Sequence, residues 1–399
     1  MASKRNRRSG VEDRWRKANG EPSKANGVGM RWLARYVDSN GREHAKRFAR
    51  KVDAQAWLDN VTTELNSSTW VDPSRSRELF APMAEAWFAT KATRKPKTVA
   101  GYRSILDVLV LPRWGHMRLA DIAYEDVQTW ITSLSVDGGV RFDKGLSPSR
   151  VVQTYQVLNM VLKYAIRAKR LAVNPAADVE LPTVRAPEKR YLSHQQVQEL
   201  AVASGRFRTL VLVLAYCGLR FGEAAALRRK NVDLDAARIW VSASATNVAK
   251  LGIIETTTKT HDSRKVPIPA SVVELLRTEL SDDADALVFP SRDGGYLPLG
   301  EFRWVFDQAA ASVGLEGFVP HELRHTCASL AIAAGANIKV LQTLLGHKTA
   351  TLTLDRYGHL YADELGAIAD ALDTAARSTA NPLRTHAAPA ASTTLRAVR

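Results

Sequence analysis

The 399 residues suffice for two or three domains, and 45% hydrophobic with 24% charged side chains is the balance of a globular protein that buries real cores. Lys and Arg number 56 against 41 Asp and Glu, and the resulting net charge of +15 favours a polyanionic partner, nucleic acid first. Cys217 and Cys327 both fall inside apolar helical patterns, which argues for reduced, buried thiols and against a disulfide framework. The N-terminal MASKRNRRSG has no apolar core, and the longest apolar run, Leu210 to Leu219, is about half of the ~20 residues that a membrane span needs. A soluble, cytoplasmic protein with no membrane partner is expected.

In chain order, residues 1–24 carry eight basic and three acidic side chains with almost no aliphatic ones, and are expected to be a mobile basic arm. MRWLARYV, the turn DSNG and REHAKRF read as a hairpin, with a helix over Val52 to Leu65 behind it. This basic module, residues 25–70, could lie in a major groove with Arg31, Arg35, Arg42 and Lys46 near DNA, while Trp32, Tyr36 and Phe48 read as its core. Four helices follow in residues 77–181: Phe80 to Thr90, Thr98 to Val110, Tyr124 to Leu134, and Ser149 to Arg170, the last capped by Ser147 with Pro148 at its first position. Lys91, Arg94, Lys95 and Lys97 make a basic loop suited to clamping phosphate.

Asn174-Pro175 stops the long helix, and PTVRAPEKR, residues 182–190, reads as a linker through which two clamping domains could encircle a duplex. Within residues 191–375, Ser193 and Gln196 form a capping box, and an apolar helix from Thr209 to Cys217 breaks at Gly218 just before Arg220. Arg238 to Ala245, Leu251 to Thr258 and Arg264 to Ile268 are β-branched runs expected to form one small antiparallel sheet, with Lys259 in an exposed turn able to enter a groove. Glu223 either orients the basic cluster or favours the helix dipole.

The stretch from His321 to Tyr357 is the densest in chemistry. A helix after Pro320 puts Leu323, Cys327, Leu330 and Ala334 on one apolar stripe and His321, Arg324, His325 and Ala328 on the opposite face. Gly335 ends it, Asn337 caps the next helix, Gly346 ends that one and delivers His347, and Thr349 caps a third that carries Tyr357. Tyr361, Leu365, Ile368 and Leu372 then recur at helical spacing, a stripe that must dock on its own domain or on a neighbouring protomer. Residues 376–399, with four arginines and no acid, read as a disordered tail.

HELRH is literally the H-E-x-x-H pattern of zinc proteases, but Ala328 stands where the extended motif needs glycine and no glutamate follows until Glu364. A different set uses more of the chain. GLRFGE (Arg220), TKT (Lys259), HELRHT (His321, Arg324), LLGH (His347) and LDRYGHL (Tyr357), in this order over roughly residues 77–375, resemble the tyrosine recombinase family of phage and bacterial integrases. The N-terminal module looks like the arm-binding domain of the phage integrases.

The resemblance implies a mainly α fold with small β-sheets: an N-terminal β-plus-helix arm-binding module, a helical core-binding domain and a mixed α/β catalytic domain. It implies a site-specific DNA recombinase that cleaves and rejoins DNA through a 3′-phosphotyrosine, integrating and in the reverse sense excising a mobile element. By resemblance Arg220 and Arg324 clamp the non-bridging oxygens, Lys259 protonates the departing 5′ oxygen, His321 assists proton transfer at the tyrosine, His347 hydrogen-bonds the phosphate and Tyr357 attacks. His325 stays outside this set. The chemistry is consistent, because a phenol with a pKa of ~10 and a phosphodiester anion both need nearby positive charge to react. No metal and no cofactor is expected, and resealing needs no ATP, in keeping with the lack of a G-x-x-x-x-G-K-[ST] loop. The implied partners are double-stranded DNA with core and arm attachment sites, a homotetramer on that DNA, and accessory DNA-bending or directionality proteins. The competing readings are a type IB-like topoisomerase, which shares the chemistry, and a non-catalytic DNA-binding regulator.

Overall fold

The computed structural model describes residues 9–38, 41–67, 70, 72, 77–138, 144–185, 189–257, 263–361 and 369–378. The chain divides into two compact units, residues 1–185 and 186–399.

The first unit opens with an antiparallel sheet of β1 (Gly10–Asp13), β2 (Trp32–Val37) and β3 (Glu43–Phe48), in that order, backed by α1 (Lys51–Asn66). β1 corrects the expectation of a mobile arm through residue 24. The acids that dilute the basic run are its anchors: Asp13 pairs with Arg31 at 2.8 Å, Glu12 pairs with Arg35, and Val11 packs on the cluster formed by Tyr36, Leu58 and Val61. Sequence composition counts these charges but cannot see that each acid meets a cation beside its direct partner, Glu12 opposite Leu33 reaching Arg35 and Asp13 opposite Trp32 reaching Arg31.

The rest of this unit is helical: α2 (Phe80–Ala89), α3 (Pro96–Ile105), α4 (Leu111–Trp114), α5 (Tyr124–Val136) and α6 (Pro148–Arg167). A π turn over Leu106–Val110 carries α3 into α4 where the sequence suggests a stop. Pro112 explains it: a proline without an N–H and with a ring against the preceding carbonyl is accommodated by widening the turn ahead of it. Ser147 precedes α6 as expected, yet its side chain makes no capping bond. Phe80, Trp87, Trp114, Trp130, Leu158 and Leu162 are buried in one core.

In the second unit α7 (His194–Ala203) begins with the full Ser193–Gln196 capping box, and α8 (Arg208–Cys217) is buried along nearly its whole length. Gly218 then takes a left-handed conformation, φ +62°, in a spot where a Cβ would lie 2.9 Å from the Cys327 sulfur, so only glycine fits. α9 (Phe221–Ala225) follows at once. The expected single sheet is instead two ladders. β4 (Val232–Asp233), β5 (Arg238–Val241) and β8 (Arg264–Pro267) make one, while β6 (Ala243–Val248) and β7 (Gly252–Thr257) make a separate hairpin. β6 leaves β5 to lie along α9, with Gly222 so near that a Cβ there would meet the Ala245 carbonyl at 2.6 Å.

α10 (Ala270–Glu279) and α11 (Leu299–Ser312) complete the core around α8, with Phe302 and Phe306 buried against it. α12 (Pro320–Ala333), α13 (Ile338–Leu345) and α14 (Ala350–Tyr357) follow. The Asn337 and Thr349 caps form as the spacing predicts. α12 departs from a one-stripe helix: Ala334 is exposed, whereas Arg324 and Ala328, on its supposed open face, are buried. A second cluster of Ala328, Ile332, Leu341, Leu345 and Tyr357 covers that face. Residues 369–378 are helical with every side chain exposed, including Leu372 at 66%, so residues 376–378, the start of the tail expected to be disordered, continue that helix. Leu365 and Ile368 of the predicted stripe lie outside the described residues. No described helix is long and apolar enough to cross a membrane.

Candidate active site

The left-handed glycine at the end of α8 turns the chain so that Arg220 becomes the residue that starts α9. Glu223, one turn on, accepts from the Arg220 backbone N–H at 2.9 Å and from its guanidinium at 2.8 Å. Its other partner is Arg264 at the start of β8, whose Nη2 and Nη1 donate to the carboxylate at 2.6 and 3.1 Å while its Nε donates to the Leu344 carbonyl at 3.1 Å. Burial raises the Glu223 carboxyl, but the two arginines outweigh it and hold the group at about 2. Of the two readings open for Glu223, orientation of the cationic cluster is therefore the one the geometry favours.

Arg324, buried on α12, donates from Nη1 to the Gly218 carbonyl and from Nη2 to the Leu345 carbonyl. It ties the turn that presents Arg220 to the turn that presents His347. A guanidinium has five N–H donors, so donors remain for another oxygen ligand. Burial, then the charge of Arg220, pull it down to about 9, which leaves it cationic at neutral pH. Gly346, φ +62°, ends α13 beneath Arg264, whose Cδ would lie 2.9 Å from a Cβ there. His347 follows, and its Nδ1 shares a hydrogen bond of 2.9 Å with the Thr353 hydroxyl of α14.

Tyr357 is 0% exposed. Its hydroxyl lies 2.7 Å from His325 Nδ1, and its ring runs parallel to that of His347 at 6.4 Å between centroids. Lys189 places its ammonium 5.6 Å from the centre of the Tyr357 ring and donates to the Arg356 carbonyl at 2.7 Å. Burial pushes the phenol up to about 12 in spite of Arg324 and Arg356. Burial also lowers all three histidines, helped chiefly by Arg324 at His321 and His347 and by His321 and Lys189 at His325; His325 and His347 fall to about 4. At neutral pH the site thus holds neutral imidazoles, a protonated phenol and a set of permanent cations.

Arg220, His321, Arg324, His347 and Tyr357 are accordingly brought to one place, and Lys259 lies outside the described residues. His321 packs its ring edge-on against His325 at 5.1 Å, while the histidine bonded to Tyr357 is His325, which lies outside the set expected from sequence. Its position one helical turn after His321 was the available signal. Nothing in the sequence marks Arg264 or Lys189, since each reaches the site from a distant segment. Glu322, the base of the zinc-protease reading, caps the start of α12 through the Val319 N–H at 2.7 Å and pairs with Arg190 at 3.3 Å. Among the described residues, the group of His, Cys, Asp and Glu close enough to hold a metal is Asp38, His44 and Asp72, in the first unit.

Residues 190–364 match the Phage integrase family, and residues 79–135 match its N-terminal SAM-like domain. The putative prophage phiRv2 integrase of Mycobacterium tuberculosis is 28% identical over 344 residues, covering 82% of this chain and 88% of the relative. The fold is that of solved integrases. A Tn1549 transposon integrase in complex with a circular intermediate DNA aligns with a TM-score of 0.61 at 20% identity, over 70% of this chain and 95% of that one. A lambda integrase tetramer bound to a Holliday junction aligns with a TM-score of 0.53 at 18% identity, over 84% and 96%. Taken with the two family matches, these likenesses show that the chain belongs to the phage integrase family of tyrosine recombinases, site-specific enzymes that cut and rejoin DNA.

Proposed function

We propose that this recombinase integrates a mobile element through a 3′-phosphotyrosine formed by Tyr357. The observation that carries the assignment is the Tyr357 hydroxyl held on a histidine beside Arg324, which is itself fixed to the Gly218 and Leu345 carbonyls, two residues ahead of Arg220 and His347. Positive charge is needed twice here: to draw a reluctant phenol toward ionisation and to stabilise the pentacoordinate phosphorane. Arg220 and Arg324 would supply it as planar forks on the non-bridging oxygens, where removing one such donor typically costs about 10²-fold or more. His347 would hydrogen-bond the phosphate, His321 would assist proton transfer next to the tyrosine, and Lys259 would protonate the leaving 5′ oxygen.

In this reading residues 77–181 and 191–375 engage a core site, and residues 25–70 engage a separate arm site through the exposed side of the β1–β3 sheet. The basic balance of the chain and the DNA-bound state of its structural relatives support it. The lambda integrase tetramer on a Holliday junction supports a working homotetramer. Accessory bending or directionality proteins, and action in the cytoplasm, belong to the same proposal.

The test is to trap and map the covalent complex on DNA carrying candidate attachment sites. The wild-type chain should leave protein on a 3′ end, and Tyr357→Phe should abolish the adduct while still binding. An adduct that survives denaturant in Tyr357→Phe refutes the assignment. Efficient relaxation of supercoiled DNA lacking any attachment site would transfer the same chemistry to a type IB-like topoisomerase.

A further inference from the structure

We infer that His325 is the residue that takes the phenolic proton of Tyr357 during cleavage and returns it during rejoining. The inference rests on the proposed role of Tyr357 as nucleophile and goes beyond it by naming the proton's destination.

Geometry comes first. His325 Nδ1 stands 2.7 Å from the Tyr357 oxygen, within the range for direct proton transfer, whereas the described contact of His321 is with the His325 ring. A neutral imidazole has one nitrogen free to accept, and a phenol is the better acid of the two, so the phenol donates and Nδ1 accepts. The tyrosine has no exposed surface through which water could take the proton instead.

The titratable and charged groups facing His325 come from each segment packed on it: His321 and Arg324 from its own helix, Arg356 with Tyr357 from α14, and Lys189 from the chain before α7. Burial first, and then these neighbours, keep the imidazole unprotonated, hence able to accept, throughout the neutral range. Burial, which raises the phenol to about 12 and is the main cause of the imidazole's fall to about 4, keeps the proton on the phenol before reaction. Transfer becomes favourable only as the phenol oxygen bonds to phosphorus and its proton turns acidic, and an anionic phosphodiester among the arginines offsets the cations that depress His325.

The step balances. The Tyr357 Oη–P bond forms, the P–O5′ bond breaks, the phenolic proton passes to His325 Nδ1, and the 5′ oxygen takes its proton from the general acid proposed above. On rejoining, the 5′ hydroxyl attacks phosphorus, its proton goes back to that acid, and His325 reprotonates the departing phenolate.

The experiment measures covalent-complex formation by the full chain on a nicked core-site duplex between pH 6 and pH 9. The wild-type rate should be nearly flat in this window. His325→Asn keeps an acceptor oxygen for the tyrosine but cannot carry a proton; it should cleave about 10²-fold or more slowly at pH 7. Its rate should then climb close to tenfold per pH unit, because the tyrosinate must form before attack. Imidazole added to His325→Ala should restore cleavage. A slow His325→Asn variant with a flat profile would assign His325 to positioning alone and overturn the inference, as would a wild-type rate. In the full chain labelled with 15N-histidine, His325 Nδ1 should resonate as an unprotonated acceptor, and a proton found on Nδ1 overturns the inference without reference to activity. The parent reading fails separately, by absence of any adduct from the wild-type chain or its persistence in Tyr357→Phe.

Discussion

Replacing Glu223 by Gln tests whether the buried carboxylate organises the cationic cluster. Its carboxyl sits at about 2 against an ordinary value of 4.5, because Arg264 and Arg220 overcome the cost of burial. A folded-state value below the unfolded one contributes stability above the unfolded value, and that contribution is lost as pH falls toward the folded one. The difference amounts to about 3 kcal/mol at pH 7 and shrinks to about 1.4 kcal/mol at pH 3. Glu223→Gln removes the charge and leaves Arg264, itself largely buried, without its counterion, for which a loss of about 3 kcal/mol is the usual scale. Urea unfolding of the full chain, with hydrogen exchange on α8 and α12 peptides to isolate the second unit, should show this loss at pH 7 and roughly half of it at pH 3. Cleavage should fall as well, since the amide keeps one acceptor oxygen and no charge for the Arg220 backbone N–H and guanidinium that the carboxylate now holds with two. A cost under ~1 kcal/mol at pH 7, or an equal cost at both pH values, refutes the electrostatic account.

Three further outcomes follow from the same structure. Excess chelator should leave covalent-complex formation unchanged, because the groups around the proposed phosphate site are guanidinium, imidazole and phenol; stoichiometric zinc whose removal abolishes activity would restore the zinc reading of HELRH. A chain of residues 77–399 should cleave a core site at near-normal rate and lose integration that depends on flanking arms, as measured on arm-containing and arm-less DNA side by side; equal loss on both, or on neither, removes the separate role of the β1–β3 module. A chain ending after Tyr361 keeps the bond from the Tyr361 hydroxyl to the Ala336 carbonyl, 2.9 Å, and loses the exposed helix of residues 369–378. It should keep its unfolding midpoint and its single-site affinity but lose cooperative pairing of sites in sedimentation and gel assays; a lowered midpoint would show instead that the segment packs on its own domain.

What could be read from sequence was whatever is fixed over a few residues. The Ser193 box, the Asn337 and Thr349 caps, and the left-handed glycines 218 and 346 that present Arg220 and His347 are local chemistry, and each is where the spacing puts it. What was not legible depends on partners far along the chain. β1 exists because Glu12 and Asp13 find Arg35 and Arg31 about twenty residues away, and β6 leaves the sheet because α9 needs its backbone close to Gly222. The two faces of α12 misled for a related reason. A charged side chain such as Arg324 reads as solvent-facing unless two carbonyls wait for it, and these come from glycine turns 106 and 21 residues away. The Ser147 cap fails in the opposite sense: the residue is right for the position, and the side chain simply turns elsewhere.

The placement of Tyr357 joins stability to chemistry. It is buried in a cluster with Ala328, Ile332, Leu341 and Leu345 that is distinct from the large core around α8. A short terminal helix on a small cluster can open at a fraction of the cost of unfolding the domain. Apart from the Tyr357–His325 bond, the polar contacts that tie this helix down are Lys189 to the Arg356 carbonyl and His347 to Thr353. A phenol wholly shielded from water cannot ionise at random, and in the proposed role of Tyr357 as nucleophile a shield this small need not block the phosphate. The burial that raises the phenol therefore serves as restraint, and the arginines and histidines around it are where that restraint is released.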